Sequence, residues 1–296
     1  MKEGAEIHDL GYTRYTGERV PPSRRYLVIA RNVVGVAWRG RWPTKLSVVI
    51  ALGITLASAA VMFVLRSSLF ETVRTRGIAI PKAEQIVFVA DQFYELVAFV
   101  LGLLWGCAAI ADDLRLGAFQ FYFARALRPR DYVAGKLLGL ALLAGIPMFA
   151  GPVVLALIRL VLADGLAHAA ILAPVVPRAI VLGLAGTAAY VLPVAGLGAI
   201  AGKRQIAQAL FAIYWILICP TIYGISWPLH MPWLRLLSVP SCLTVIGHGL
   251  FGVTQEPNSP PVWASAAALA LLCAGGFALV WRRVHGAALR GLGGAS

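Results

Sequence analysis

Residues 111–136 read ADDLRLGAFQFYFARALRPRDYVAGK, and they separate two apolar runs that are each long enough to cross a membrane. The stretch holds many charged and aromatic residues, whereas the flanking runs at 93–111 and 137–162 hold one charged residue each. In a membrane protein such a stretch belongs outside the bilayer core, because lipid does not solvate its charges. The sequence here predicts two membrane-spanning helices joined by a hairpin.

The composition of the whole chain fits that interpretation. Its 296 residues are 59% hydrophobic and 13% charged, and the mean hydropathy is +0.79. Soluble domains carry about twice that share of charged residues, roughly 25%. Each crossing takes about 20 residues, so the chain has room for about six crossings but not for a sizeable soluble domain as well. We expect one membrane domain.

Apolar runs predict six spans, and the expected fold class is an all-α integral membrane protein. The runs lie near residues 47–65, 93–111, 137–162, 179–201, 206–224 and 262–281. A further apolar segment at 234–252 contains Pro240 and His248, and is predicted to form short re-entrant or extracellular helices before the sixth span. Residues 1–45 form an amino-terminal tail, 46–285 the transmembrane domain and 286–296 a second tail.

The distribution of positive charge predicts the orientation of the chain. With the amino terminus in the cytoplasm, 19 of the 26 Lys and Arg residues lie on the cytoplasmic side, as the positive-inside rule requires. Both termini and the 111–136 hairpin are then cytoplasmic. The net charge of +13 is assigned to these loops and to anionic lipid head groups rather than to nucleic acid. We expect a multi-pass protein of a bacterial inner (plasma) membrane.

Residues 24–42 have the periodicity of an amphipathic helix. One face carries Tyr26, Ile29, Ala30, Val33, Val36 and Ala37, and the other carries Arg24, Arg25, Arg31, Asn32, Gly35 and Arg39. Such a helix, with Trp38 near its end, is expected to lie flat in the cytoplasmic head-group layer. It is either a simple membrane anchor or a docking element for a cytoplasmic partner as well.

The hairpin itself is expected to contain a separate short helix. If the second span continued through Asp112 and Asp113, two carboxylates would lie at the negative end of its helix dipole. We therefore predict a new helix from about Asp113 to Arg125, capped by Asp112, and a third span that starts with Pro129 at its first position. The following side chains are expected to press against membrane or protein, either at a docking site or merely in lipid: Leu116, Phe119, Phe121, Tyr122 and Phe123.

Three short patterns carry a resemblance to a known family. The stretches D113-L-R-L-G117-A-F-Q, R128-P-R-D and G135-K136 resemble the second cytoplasmic segment of ABC exporter permeases of the type-2 class. In that family this segment contains the coupling helix, which seats in a groove of the ATP-binding subunit. The resemblance implies polar contacts from Asp113 and Arg115 and apolar anchors at Phe119 and Phe123. The full set of docking residues that it implies is Asp112, Asp113, Leu114, Arg115, Gly117, Phe119, Phe123 and Arg125.

The resemblance implies the membrane-spanning subunit of an ATP-driven exporter. Two copies, or one copy and a related chain, are expected to work with two ATP-binding subunits, which bind the ATP and Mg²⁺. This chain is expected to hold no cofactor and to catalyse no reaction. Its Gly135-Lys136 and Gly202-Lys203 pairs are not followed by Ser or Thr, so neither forms a phosphate-binding loop. The chain also lacks the H-E-x-x-H and G-x-S-x-G motifs of hydrolases.

Two other functions stay open. An ion-coupled secondary transporter uses intramembrane carboxylates, of which this sequence has few. A membrane scaffold or assembly subunit would recruit a partner through the hairpin without moving a solute.

Asp91 and Glu95 share a helix face at the predicted outer end of the second span. In one interpretation they form an ion-paired, solvated helix end. In the other they are outer-gate charges, which contact a cationic substrate or pair with Arg159 or Arg178.

Small residues and cysteines complete the pattern. Four glycines in the fourth span are expected to let helices approach closely, either within one bundle or across a dimer interface, namely Gly183, Gly186, Gly196 and Gly198. The 4 Cys residues have no C-x-x-C spacing, so no zinc site or disulfide framework is indicated. We expect no metal site.

Overall fold

The computed structural model describes residue 21 and residues 24–40, 42–65, 83–123, 127–163 and 165–293. Within these ranges 88% of the residues are helical and none is in a strand, which confirms the all-α class. In this described part of the chain, six helices are long and apolar enough to cross a membrane, and they are called spans 1 to 6: Trp42–Leu65, Gln85–Arg115, Pro129–Val161, Leu166–Ala201, Arg204–Ser226 and Val262–Leu289. The predicted number of spans is therefore confirmed.

Span 2 is longer than predicted, and the difference corrects the hairpin. Its helix does not end before Asp112 but continues through both aspartates to Arg115. Leu116 and Gly117 form the turn, with Gly117 at φ +64°, and the next helix is Ala118–Phe123. The prediction of a helix that starts at Asp113 with Asp112 as its cap is thus wrong. We call Ala118–Phe123 the hairpin helix.

Span 3 begins as predicted. Pro129 lies in the first turn of its helix, and Arg128 before it is extended, with φ −86° and ψ 147°. Proline favours this place because its missing N–H would have no partner in the first turn. Residues 124–126, and with them Arg125, lie outside the described residues.

Three spans contain a π-helical turn, at Gly102–Gly106, Ile146–Ala150 and Ile213–Ile218. Such turns change the hydrogen-bond register and leave carbonyl groups available to other partners. In span 2 the carbonyl of Leu103 accepts from Gln208 Nε2 at 2.8 Å, and that of Leu104 accepts from Arg204 Nη2 at 3.3 Å. Polar side chains of span 5 thereby join it to span 2.

Glycines bring the spans into backbone contact within this chain. A Cβ atom on Gly196 would lie 2.8 Å from Cα of Gly276, so spans 4 and 6 cross there without intervening side chains. Gly183 and Gly186 face Met148, and a Cβ on Gly198 would lie 2.7 Å from the carbonyl oxygen of Cys107. Two roles were expected for these four glycines, close packing within one bundle or across a dimer interface. All four pack against other residues of this chain, inside the bundle.

The amino-terminal helix, Arg25–Gly40, packs along the start of span 3. A Cβ on Gly135 would lie 2.6 Å from Cβ of Ile29, and a Cβ on Gly139 would lie 2.7 Å from Cβ of Val33. The contacts advance by four residues on both helices, so the two run side by side in the same direction. The helix itself was predicted, while its position in the head-group layer stays a prediction.

Two short helices precede span 6. They are a 3-10 helix, Pro232–Leu237, and an α-helix, Val239–Phe251. The Ser238 side chain caps the second helix by accepting from the N–H of Ser241 at 3.4 Å. The prediction of short helices in this segment is confirmed, whereas their depth relative to the bilayer stays a prediction.

Candidate functional site

The aspartate of the hairpin is paired inside the chain. Asp113 Oδ2 lies 2.7 Å from Lys136 Nζ and accepts a hydrogen bond of 2.5 Å from the Tyr132 hydroxyl. The Asp113 and Lys136 side chains are only 14% and 11% exposed. This arrangement removes the objection to a carboxylate at the end of span 2, because Lys136 supplies the compensating positive charge. We call Asp113, Tyr132 and Lys136 the hairpin triad.

A second ion pair ties span 5 to the same end of the bundle. Arg204 Nη1 lies 3.9 Å from Asp112 Oδ2, and the same guanidinium also donates to the carbonyl of Leu104. Asp112 and Arg204 are both partly exposed, so the pair contributes little to stability by itself. Its consequence is geometric, since it joins the start of span 5 to the end of span 2.

The hairpin aromatics divide into an inward and an outward set. Phe119 is 6% exposed and lies 5.7 Å from Phe123 and 5.2 Å from Tyr132 between ring centroids. Leu116 and Phe121, by contrast, are 69% and 75% exposed. The prediction that Phe119 is a free anchor for a partner is therefore wrong, because it fills this chain's own core. The exposed apolar surface of the hairpin belongs to Leu116 and Phe121.

The remaining docking candidates lie around this surface. Arg115 is exposed, Gly117 forms the turn, Leu114 is half-buried, and Asp113 is occupied by the hairpin triad. Burial, together with the nearby charge of Asp113, raises the pKa of the Tyr122 hydroxyl. On the amino-terminal helix, Arg24, Arg31, Arg39 and Trp38 are exposed and Arg25 is half-buried.

Asp91 and Glu95 lie inside the protein rather than at a solvated end. Their side chains are 1% and 5% exposed, so the interpretation as a wet, ion-paired helix end is wrong. Glu95 Oε2 accepts from the Tyr190 hydroxyl at 3.2 Å, and that hydroxyl accepts from Trp215 Nε1 at 3.1 Å. Asp91 Oδ1 is buried without a hydrogen-bond partner. No ion pair among the described residues joins either carboxylate to an arginine.

A cleft of about 330 Å³ opens beside this network, between spans 2 and 5 and the short helices. Its walls include Gln92, Trp215, Tyr223, Arg235, Thr244 and Glu256. Arg235 and Glu256 are not among the site residues predicted from the sequence. The sequence does contain a feature that could have identified them. They are the only Lys, Arg, Asp or Glu residues between 225 and 261, a segment that is otherwise apolar or uncharged.

Arg235 organises the cleft. It is 2% exposed, lies 2.9 Å from Glu256 Oε2 and donates to the carbonyl of Asn258 at 3.0 Å. Its guanidinium carbon lies 4.6 Å from the ring centroid of Tyr223, whose hydroxyl donates to Glu256 Oε1 at 3.0 Å. The Arg235 guanidinium, the Tyr223 side chain and the Glu256 carboxylate thus hold one another in position. Together they bind the segment before span 6 to span 5.

Metal and disulfide chemistry find no support in the described part of the chain. There, no group of three or more His, Cys, Asp or Glu side chains could hold a metal ion. All four cysteines are free thiols.

No protein-family model matches this chain, and no curated protein matches it either.

Proposed function

We propose that this chain is the membrane-spanning permease subunit of an ATP-driven exporter of the ABC-2 type, which works with a separate ATP-binding subunit. The observation that carries the proposal is the exposed apolar surface of the hairpin, formed by Leu116 of the turn and Phe121 of the hairpin helix, whose other face packs against the bundle. Exposed aromatic surface beside the exposed Arg115 is typical of a protein contact. The six spans and the resemblance of the hairpin sequence to coupling segments agree with this role.

The packing of the hairpin helix suggests how force reaches the membrane. Phe119 contacts Tyr132 of span 3 and shares a cluster with Val280 and Val284 of span 6. The hairpin triad and Asp112 add links to spans 3 and 5. A push on the hairpin helix therefore moves several spans together. Nucleotide-driven closure of the partner would bias a two-state bundle in this way.

The assembly in this proposal has a defined composition. Two copies of this chain, or one copy and a related chain, pair with two ATP-binding subunits that hold the ATP and Mg²⁺. Both termini and the hairpin face the cytoplasm of a bacterial cell, and lipids surround the outer faces of the spans. This chain contributes the pathway and the docking surface rather than any catalysed reaction.

The test compares two exposed apolar residues at opposite ends of the bundle. Phe121→Asp places a charge in the proposed docking surface, and we expect it to abolish co-purification of the ATP-binding subunit and its stimulated ATP turnover. Leu166→Asp is the matched control, because Leu166 is 92% exposed at the far end of the bundle. An unchanged complex and unchanged ATP turnover in Phe121→Asp would refute the docking assignment.

One observation favours a second function. Buried carboxylates inside a span are typical of ion-coupled secondary transporters, and Asp91 and Glu95 are such a pair. Solute flux in vesicles separates the two functions. Flux that follows an ion gradient and needs neither ATP nor a second subunit would favour the secondary transporter over the exporter. A scaffold subunit would show no flux under either condition.

A further inference from the structure

The cleft between spans 2 and 5 contains two buried polar atoms for which the structure shows no hydrogen bond. Arg235 Nε is buried and has no hydrogen-bond partner, although Nη1 of the same guanidinium donates to Asn258. Glu256 Oε2 lies near Arg235 Nη1 but is also buried without a hydrogen bond. The cleft therefore contains one donor without a partner, Arg235 Nε, beside a carboxylate oxygen that keeps a second lone pair besides its ion pair with Arg235 Nη1 at 2.9 Å. Buried polar groups normally find partners, so a bound group that pairs with both would be stabilised here.

The charges of the cleft cancel. Among the described residues that line it, Arg235 and Glu256 are the only Lys, Arg, Asp or Glu side chains, and they form an ion pair with each other. Burial lowers the pKa of the His248 imidazole on the neighbouring short helix, which disfavours its charged form. Glu95 does not line the cleft; it accepts from Tyr190, whose hydroxyl in turn accepts from the wall residue Trp215. A ligand with a net charge would gain no unbalanced counter-charge in this site.

The remaining walls combine apolar surface with uncharged polar groups. Trp215, Pro220 and Pro240 supply apolar area, while Gln92 and Thr244 supply an amide and a hydroxyl. Gln92 of span 2 and Pro220 and Tyr223 of span 5 are exposed, so the cleft is open on the side that these residues line. A molecule that enters from this side meets apolar walls and then the Arg235 and Glu256 pair.

We propose that this cleft binds an uncharged amphiphile with a hydroxylated head group, and that a head-group hydroxyl accepts from Arg235 Nε and donates to Glu256 Oε2. A hydroxyl is suited to this pair of atoms because it donates and accepts at once. The apolar part of the ligand lies against Trp215 and the prolines. That such a ligand is the exported cargo rests on the proposed function, whereas its binding does not.

The experiment uses the full-length chain in lipid nanodiscs without an ATP-binding subunit. Three probes share an octyl chain and differ in the head: octyl glucoside, octyl sulfate and octyl trimethylammonium, each below its micelle concentration. Tryptophan fluorescence titration reports binding. We expect octyl glucoside to bind at least about tenfold more tightly than either charged probe. Equal affinity for all three probes would overturn the proposal, because apolar contact alone would then account for binding.

A charge-switch variant keeps the test informative even if stability falls. Glu256→Gln preserves size and hydrogen bonding but leaves Arg235 unbalanced, so we expect affinity for octyl sulfate to rise about tenfold. An unchanged affinity for the anion would overturn the assignment of the head-group site.

Thr244→Val, in the wall, is expected to weaken octyl glucoside binding, whereas Thr221→Val is the matched control. Thr221 bonds only its own helix, through the Leu217 carbonyl, and does not line the cleft.

A flux measurement separates this inference from the proposed function. Proteoliposomes that hold both subunits are supplied with a fluorescent alkyl glucoside and ATP. ATP-dependent flux supports both the site and the exporter. Selective binding in nanodiscs without flux supports the site and counts against the exporter, in which case the ligand is a bound lipid.

Discussion

The carboxylate of Asp113 shows how one distant side chain decides local structure. At the end of a helix of 31 residues it faces the negative end of the dipole, which is unfavourable by itself. Lys136 and Tyr132 lie one turn apart at the start of span 3 and make this position favourable for the carboxylate. Asp113 Oδ2 lies 2.7 Å from Lys136 Nζ and 2.5 Å from the Tyr132 hydroxyl. The hairpin can therefore start one turn later than its sequence predicts.

This pairing yields a prediction at the residue scale. Asp113→Asn or Lys136→Met alone leaves a largely buried charge without its partner, and each should lower the free energy of unfolding by about 3 kcal/mol. The double variant leaves no such charge and should lose less than the sum of the two. Denaturant or thermal unfolding in nanodiscs measures this double-mutant cycle. Additive losses would show that the two groups do not interact.

At the scale of elements, contacts between helix backbones hold the bundle together. Spans 4 and 6 meet at Gly196 and Gly276, and the amino-terminal helix meets span 3 at Gly135 and Gly139. In lipid, helices associate through close packing rather than through the hydrophobic effect, so positions without a side chain are the natural points of contact. These contacts join span 4 to span 6 and the amino-terminal helix to span 3.

Two adjacent glycines provide a matched pair for testing this packing. A Cβ on Gly276 would overlap the backbone of Leu192 and Pro193, whereas a Cβ on Gly275 would meet nothing within 4 Å. We expect Gly276→Ala to destabilise the protein by about 1–3 kcal/mol and Gly275→Ala to leave stability unchanged or slightly raised. Thermal unfolding of both variants in the same lipid decides the matter. Equal stability of the two would mean that spans 4 and 6 do not cross here.

At the scale of the whole molecule, the two ends of the bundle carry different groups of residues. One end carries the hairpin triad and the exposed apolar surface of Leu116 and Phe121. The other carries the cleft and the Arg235 and Glu256 pair. The buried network from Trp215 through Tyr190 to Glu95 extends from the cleft toward the interior of the bundle. In the exporter proposal, nucleotide energy enters at the first end and a ligand is held at the second.

The proposed orientation is tested by placing a reactive thiol at each end. Leu116→Cys and Leu166→Cys introduce exposed thiols on opposite sides. A membrane-impermeant maleimide should label Leu166→Cys in intact cells and Leu116→Cys only after permeabilisation. Three of the four native cysteines are buried and the fourth is partly buried, so the wild type serves as the background. Labelling of Leu116→Cys from outside would invert the topology and remove the docking proposal.

The sequence by itself determined the fold class, the number of spans, the amino-terminal helix, the start of span 3 at Pro129 and the short helices before span 6. These features follow from local properties, because apolar length, helical periodicity and proline geometry are all read within some 20 neighbouring residues. Only the tertiary structure decided where span 2 ends, which way Phe119 faces and that Asp91 and Glu95 are buried. It also brought Arg235 to Glu256 and Gly196 to Gly276. Each of these depends on a partner that is distant in the chain, and a charge or a glycine has no defined role until that partner is in place.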